Sequence, residues 1–186
     1  MVSIAAELFA QKGFRATTVR EIADAAGILS GSLYHHFDSK ESIGDEILSS
    51  FINDVLADYR AAVSASVSAR VVLEQVVRST SGTLSRHRAA LGMLQTDWSY
   101  FSTQDRFGYL RKAVAEIEAT WITQLERGKE AGEFRGDLDA RLTYRLLRDL
   151  LWIPSQWRAS AGGYSSGQVA DGFLRLLFDG IANRQA

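Results

Sequence analysis

Apolar residues recur three and four apart along almost all of this 186-residue chain, and a single residue, Pro154, is proline. Phe107, Leu110, Val114, Ile117, Trp121 and Leu125 form one such series. Leu138, Leu142, Leu146 or Leu147, Leu150 and Leu151 form another, and Val169, Phe173, Leu176, Leu177, Gly180 and Ile181 a third. This spacing gathers each set on one face of a helix, and the strongest helix breaker is almost missing. The spacing predicts an all-α protein of about nine helices. They fall near 3–12, 18–26, 30–37, 40–64, 68–86, 89–102, 104–131, 139–159 and 166–183. Breaks lie at Gly13, Gly27, Asp38–Ser39, Gly132–Gly136 and Gly162–Gly163. Thr18 with Glu21 three residues on reads as a capping box, Ser39 and Asp139 as further N-caps, and Gly27 as a left-handed C-cap.

Several function classes are excluded by composition. The chain has no Cys, which rules out disulfides, thiolate zinc sites and iron–sulfur clusters. The stretch Ala159–Ala170 carries no Asp, Glu, Lys or Arg, is rich in Gly and Ser, and is too short for a membrane span. The net charge of −1 offers no hint of a polyanionic partner. Residues 1–48 carry four basic and seven acidic groups, so the N-terminal part is the more acidic one.

Thr18 to Phe37 reads as helix, tight turn, helix, with only Ile28 and Leu29 between Gly27 and the second helix. That arrangement is a helix-turn-helix, whose second member can enter a DNA major groove. Gly31 and Ser32 are small enough to let its N-terminus approach base edges, and Tyr34 and His35 can donate hydrogen bonds to phosphate. Leu33, His36 and Phe37 fall on its other face, which assigns His36 to core packing.

The runs Leu8-Phe9-Ala10-Gln11-Lys12-Gly13-Phe14, Thr17-Thr18-Val19-Arg20-Glu21-Ile22-Ala23, Ala26-Gly27, Gly31 to Phe37 and Ser39-Lys40-Glu41 resemble the DNA-binding domain of tetracycline-repressor (TetR) family regulators. The resemblance implies a three-helix DNA-binding domain at residues 1–47 and a helical ligand-binding and dimerisation domain at 48–186. It places Thr17, Thr18, Leu29, Ser30, Gly31, Ser32, Tyr34, His35 and Lys40 at the DNA. Thr18, Tyr34, His35 and Lys40 would contact phosphates, and the residues around Leu29, Ser30 and Ser32 would face the bases. The family often has Lys where this chain has Ser30, and a basic arm before its first helix. The acidic balance of residues 1–48 leads us to expect such an arm upstream of Met1.

The resemblance also implies pairing of the last two long helices across a two-fold axis, with Gly172 and Gly180 allowing close approach. Periodicity alone fits closure of a monomer core equally well. Aromatic residues are dense in the C-terminal two thirds (Trp98, Tyr100, Phe101, Phe107, Tyr109, Trp121, Trp152 and Trp157) and together suit a large apolar ligand. Pro154 removes the bond to the Leu150 carbonyl and should kink its helix, either to fit the bundle or to open an entrance beside Trp152. A narrower likeness, carried by Ile28–Phe37, Phe134–Asp139, Tyr144-Arg145, Arg148-Asp149 and Trp152, is to actinobacterial repressors of steroid-ring degradation released by an acyl-CoA. It implies ligand contacts at Arg148 and Trp152, and places the neutral Gln156 where a CoA-holding Arg would fall. Arg148–Asp149 reads equally as a solvated charge pair. The expected effector residues are Trp98, Phe101, Trp121, Arg148, Trp152 and Gln156.

Gly163-Tyr164-Ser165-Ser166-Gly167 matches the G-x-S-x-G nucleophile pattern, but a helix precedes it and every His lies upstream. It reads as a loop capping the last helix. His35, His36 and Asp38 do not make a metal site, because adjacent helical residues diverge by about 100°. His87 between Arg86 and Arg88 reads as a surface cluster near a helix end. The expectation is therefore a cytoplasmic, nucleoid-associated repressor, homodimeric on a palindromic operator, with no catalytic residue, cofactor, metal or membrane partner. The alternatives are an activator of the same fold, or a helical small-molecule-binding protein or hydrolase without DNA function.

Overall fold

The computed structural model describes residues 1–152 and 163–181, leaving Pro154, Gln156, Trp157, Arg158 and Gly162 outside the described residues. Among the described residues there are nine α-helices, one 3₁₀ turn at Asp105–Phe107 and no strand, so the all-α reading holds. The helices are α1 (Val2–Lys12), α2 (Val19–Ala26), α3 (Ser30–Tyr34), α4 (Lys40–Ala65), α5 (Ala69–Arg86), α6 (Arg88–Phe101), α7 (Gly108–Glu130), α8 (Ala140–Trp152) and α9 (Ser166–Ile181). No helix among the described residues is long and apolar enough to cross a membrane.

The chain forms two compact units. The first takes in Met1–Asp54 and His87–Lys112, so α1, α2, α3 and the first part of α4 share a core with α6. Phe9, Phe14, Ile22, Leu33, Ile43, Leu48, Leu91 and Phe101 are among its most buried apolar side chains. An aromatic cluster fills its centre: the Phe14 ring lies 4.8 Å from Phe9 and 4.9 Å from Phe101, and Phe101 lies 4.8 Å from Phe107. Such pairs add a preferred geometry to their apolar burial.

The second unit takes in Val55–Arg86 and the chain from Ala113 onward. Helix α5 packs along α9, burying Val72, Leu73, Val76 and Val77 in the same core as Phe173, Leu174, Leu177 and Phe178. Trp121 of α7 is almost fully buried, and its indole N–H donates to the Tyr59 hydroxyl at 2.9 Å. Burial pushes the Tyr59 phenol above its ordinary range. Between α7 and α8 the Phe134 ring lies on Gly128, where a Cβ would come within 2.2 Å of it. The Gly128 carbonyl accepts from the amides of Glu133 (2.8 Å) and Phe134 (3.0 Å), so one backbone position both cradles the ring and closes the turn.

The helix ends follow the local chemistry. Thr18 caps α2 with a full capping box: its hydroxyl accepts from the Glu21 amide, and the Glu21 carboxylate accepts from the Thr18 amide. Gly27 ends α2 in the left-handed conformation (φ 67°) that costs glycine little. Ser39 and Asp139 cap α4 and α8 through the amides of Ser42 and Leu142. Ser165 caps α9 at the Gln168 amide while its own amide donates to the Gln168 side chain, so the serine of the G-x-S-x-G match is occupied as a helix cap.

Glu21 shows this capping chemistry most sharply. Hydrogen bonds from Lys12 and from the amide and hydroxyl of Thr18 lower its carboxyl from an ordinary 4.5 to about 2. A folded-state value below the unfolded one means that the contribution is complete above about pH 4.5 and is lost as pH falls towards 2. Carboxyl-carbon NMR should therefore place the Glu21 midpoint near 2; a midpoint near 4.5 would mean that the cap does not form in solution.

Candidate functional site

Helix α2, the turn at Gly27–Leu29 and α3 form the helix-turn-helix expected from the sequence. Leu33 is the one fully buried residue of α3 and anchors it, while Leu29 (80% exposed), Gly31, Ser32, Tyr34 (54% exposed) and His35 stand outward. Ser30 is half-buried. The outward set is small at its N-terminal end and hydrogen-bonding at its C-terminal end, as a surface approaching base edges and phosphates requires. Helix α3 ends at Tyr34 rather than at residue 37; the amides of His36 and Phe37 both donate to the Leu33 carbonyl, winding one further turn ahead of α4. His36 is exposed, which corrects its assignment to the core.

The loop from Gly13 to Thr17 carries more of the geometry than its sequence suggests. Thr17, expected at the DNA, is 1% exposed and its hydroxyl donates to the Gly13 carbonyl at 2.8 Å. In this structure its side chain closes the loop. Thr18 is exposed, but its hydroxyl is shared with Glu21. Lys40 donates to three carbonyls, those of Phe14 (2.9 Å), Arg15 (3.2 Å) and Thr17 (2.9 Å), and lies 4.8 Å above the Phe14 ring. An ammonium has three donors, so Lys40 here is a clamp on the loop and offers DNA its positive charge.

The other cations of this segment are partly neutralised as well. Lys12 pairs with Glu21 at 2.8 Å and Arg20 lies 3.9 Å from Asp24. Arg15 is exposed and has no carboxylate within salt-bridge distance among the described residues, which sets it apart in a segment of net negative charge. The sequence reading passed over it; it sits three residues before the α2 cap, on the side of the domain that begins the helix-turn-helix.

Comparison with known proteins decides the family. Residues 2–47 match the family described as bacterial regulatory proteins, tetR family, and residues 66–181 match the tetracyclin repressor-like C-terminal domain. The chain belongs to the TetR family. It is 42% identical over 183 residues to the HTH-type transcriptional repressor KstR2 of Rhodococcus jostii (strain RHA1), covering 98% of this chain and 90% of that one. It is 38% identical to the KstR2 repressor of Mycobacterium tuberculosis (strain ATCC 25618 / H37Rv), covering 97% and 90%. A solved structure described as the ketosteroid transcriptional regulator KstR2 of Mycobacterium tuberculosis superposes with a TM-score of 0.94 at 37% identity, covering 98% of this chain and 93% of that one. As a TetR-family protein this chain is a DNA-binding transcriptional regulator and not an enzyme.

The residues expected at a TetR-family effector site are scattered between the two units. Phe101 is fully buried in the first unit among Phe14, Tyr100 and Phe107, in the core behind the helix-turn-helix. Trp98, on α6 of the same unit, is 39% exposed. Trp121 lies inside the second unit beside Tyr59, 6.5 Å from the Tyr144 ring. Arg148 is half-buried on α8, Trp152 is the last residue of that helix, and Gln156 lies outside the described residues. A cleft of about 380 Å³ on the second unit is lined by Arg70, Glu74 and Arg78 of α5 and by Asp171, Arg175 and Phe178 of α9. Its ion pairs, Arg78 with Asp171 at 2.6 Å and with Glu74 at 3.0 Å, make it a charged groove unlike the aromatic chamber expected for an apolar effector. His87 is also more than a surface cluster: its ring lies 5.5 Å from Phe51 and its Nε2 is 2.8 Å from Asp54, tying the start of α6 to α4.

Proposed function

We propose that the protein is a homodimeric repressor that holds a palindromic operator with α3 of each copy and is released by a hydrophobic effector, an acyl-CoA thioester derived from a steroid. The observation that carries this reading is a helix-turn-helix with an open recognition face on a chain 42% identical to a KstR2 repressor. A solved relative described as a ketosteroid regulator supports the steroid class. In this reading residues 1–47 bind DNA, and residues 48–186 bind the effector and dimerise. Thr18, Leu29, Ser30, Gly31, Ser32, Tyr34 and His35 face the duplex, with the charges of Lys40 and Arg15 nearby in the chain. Trp98, Trp121, Arg148, Trp152 and Gln156 serve the effector, whose anionic part suits Arg148. The regulator works in the cytoplasm, at the nucleoid.

Release follows from linkage. The effector must bind the conformer that does not fit the operator more tightly than the one that does. Thermal stability in the presence of a panel of CoA thioesters, their free acids and uncharged steroids tests the class. A raised melting temperature with steroid-derived CoA thioesters is expected. A shift with uncharged steroids alone would remove the thioester from the proposal.

Tyr34→Ala tests the recognition face. The side chain is 54% exposed, so its loss should leave the melting temperature unchanged. Operator affinity at fixed salt should fall by roughly 1–3 kcal/mol. Unchanged affinity would mean that α3 meets the duplex on another face.

A further inference from the structure

The break in α6 falls at a buried acid. Asp97 departs from helical geometry (φ −118°, ψ 23°) in the middle of Arg88–Phe101, and it is only 9% exposed. Its Oδ2 accepts the Phe14 amide at 2.7 Å across 83 residues of sequence. Phe14 belongs to the loop that leads into the Thr18 cap of α2, so a residue far down the chain holds the backbone from which the helix-turn-helix begins.

The same loop is gripped from α4. Lys40 takes the carbonyls of Phe14, Arg15 and Thr17. Phe14 is thus fixed at both backbone groups, its N–H by an anion from α6 and its C=O by a cation from α4. Thr17 adds the bond to Gly13, and the Gly13 amide donates to the Phe9 carbonyl at 2.9 Å, so the loop is tied to α1 as well. Charge-assisted hydrogen bonds are shorter and stronger than neutral ones, which suits a fixed anchor. Tyr100, one turn beyond the break, donates to Glu41 at 3.2 Å, so the segment after Asp97 also touches the start of α4.

We propose that Asp97 is a positioning residue for operator binding: from the break in α6 its carboxylate holds the Phe14 amide and, opposed by Lys40, sets the loop that orients α2 and α3. It does not touch DNA. It acts by keeping the recognition face in one place, so its loss should erode discrimination between sequences more than attraction to DNA in general. The inference rests on the DNA-binding reading above.

The test uses the full chain and two duplexes of equal length: one recovered by selection from random DNA, and one of unrelated sequence. Asp97→Ala should weaken binding to the selected duplex about ten-fold or more, with binding to the unrelated duplex changed less than about two-fold. Asp97→Asn keeps an acceptor oxygen and should stay within about three-fold of the parent on both. Equal binding by Asp97→Ala, or a parallel loss on both duplexes alongside a lower melting temperature, would overturn the inference and leave Asp97 as packing. Failure of the unaltered protein to discriminate between the duplexes would overturn the DNA-binding reading itself, and this inference with it. If Asp97→Ala does not fold, amide exchange in the unaltered protein decides the matter. The Phe14 amide should slow on binding the selected duplex together with Thr18 to Tyr34, and an unchanged rate would overturn the assignment.

Discussion

Phe14→Ala is expected to lower the free energy of unfolding by about 3–5 kcal/mol, near the upper end for a large-to-small core change. The ring is fully buried and packs against Phe9 at 4.8 Å, Phe101 at 4.9 Å and Tyr100 at 5.5 Å. On its remaining side it meets α4 backbone: a Cβ at Gly44 would lie 2.9 Å from the ring. Helix backbone cannot move inward as a side chain can, so the space left by the ring would collapse poorly. The Lys40 ammonium would also lose the aromatic face 4.8 Å below it. Urea unfolding at fixed temperature measures the change. A loss below about 1 kcal/mol would mean that the aromatic centre of this unit is not tightly packed in solution.

Leu146→Glu is expected to have the largest effect on function. Leu142, Leu146 and Leu150 follow one another at four-residue spacing on α8 and are 56%, 62% and 40% exposed. Leu176 of α9 is 63% exposed, and Gly172 and Gly180 on the same helix have open space where a side chain would stand. The buried side of α8 is formed by Ala140, Tyr144 and Leu147, so the exposed leucines are not needed to close this unit's own core. A carboxylate placed at the centre of that stripe would be desolvated without a partner in any dimer that covers it. Sedimentation should then report half the mass of the parent. Affinity for a palindromic duplex should drop by about 100-fold or more, because the second half-site no longer gains from the first. A variant that remains dimeric and binds the palindrome as well as the parent would place the interface elsewhere.

How much of this was legible in the sequence depended on how far apart the interacting groups are. The Thr18–Glu21 box, the Gly27 cap and the Asp139 cap are decided within a few residues, and pattern alone located them. The helix-turn-helix followed for the same reason. Aromatic density placed Phe101 in the expected effector set, but could not show that its ring packs against Phe14. Lys40 and Thr17 looked like DNA contacts by position; only the folded loop shows where their donors go. Asp97 left one signal, an acid at a buried position in line with Ala90, Leu94 and Phe101, and its partner is 83 residues away. On α8, the periodicity gathered Leu142, Leu146 or Leu147 and Leu150 into one stripe; burial of Tyr144 and Leu147 against exposure of Leu142 and Leu146 separates an inward face from an outward one.

The charge balance made the DNA-binding reading hardest to accept from composition, since residues 1–48 carry a net −3. Pairing inside the folded segment leaves that balance unchanged, since Lys12 and Glu21 neutralise each other. The central claim is that this segment nevertheless reads sequence as one half of a symmetric pair. Selection of random duplex DNA by the purified protein tests it directly. The account predicts enrichment of an inverted repeat whose half-sites are centred about one helical turn, or a multiple of it, apart. A pool that shows no enriched repeat, with the folded dimer present throughout, would contradict it.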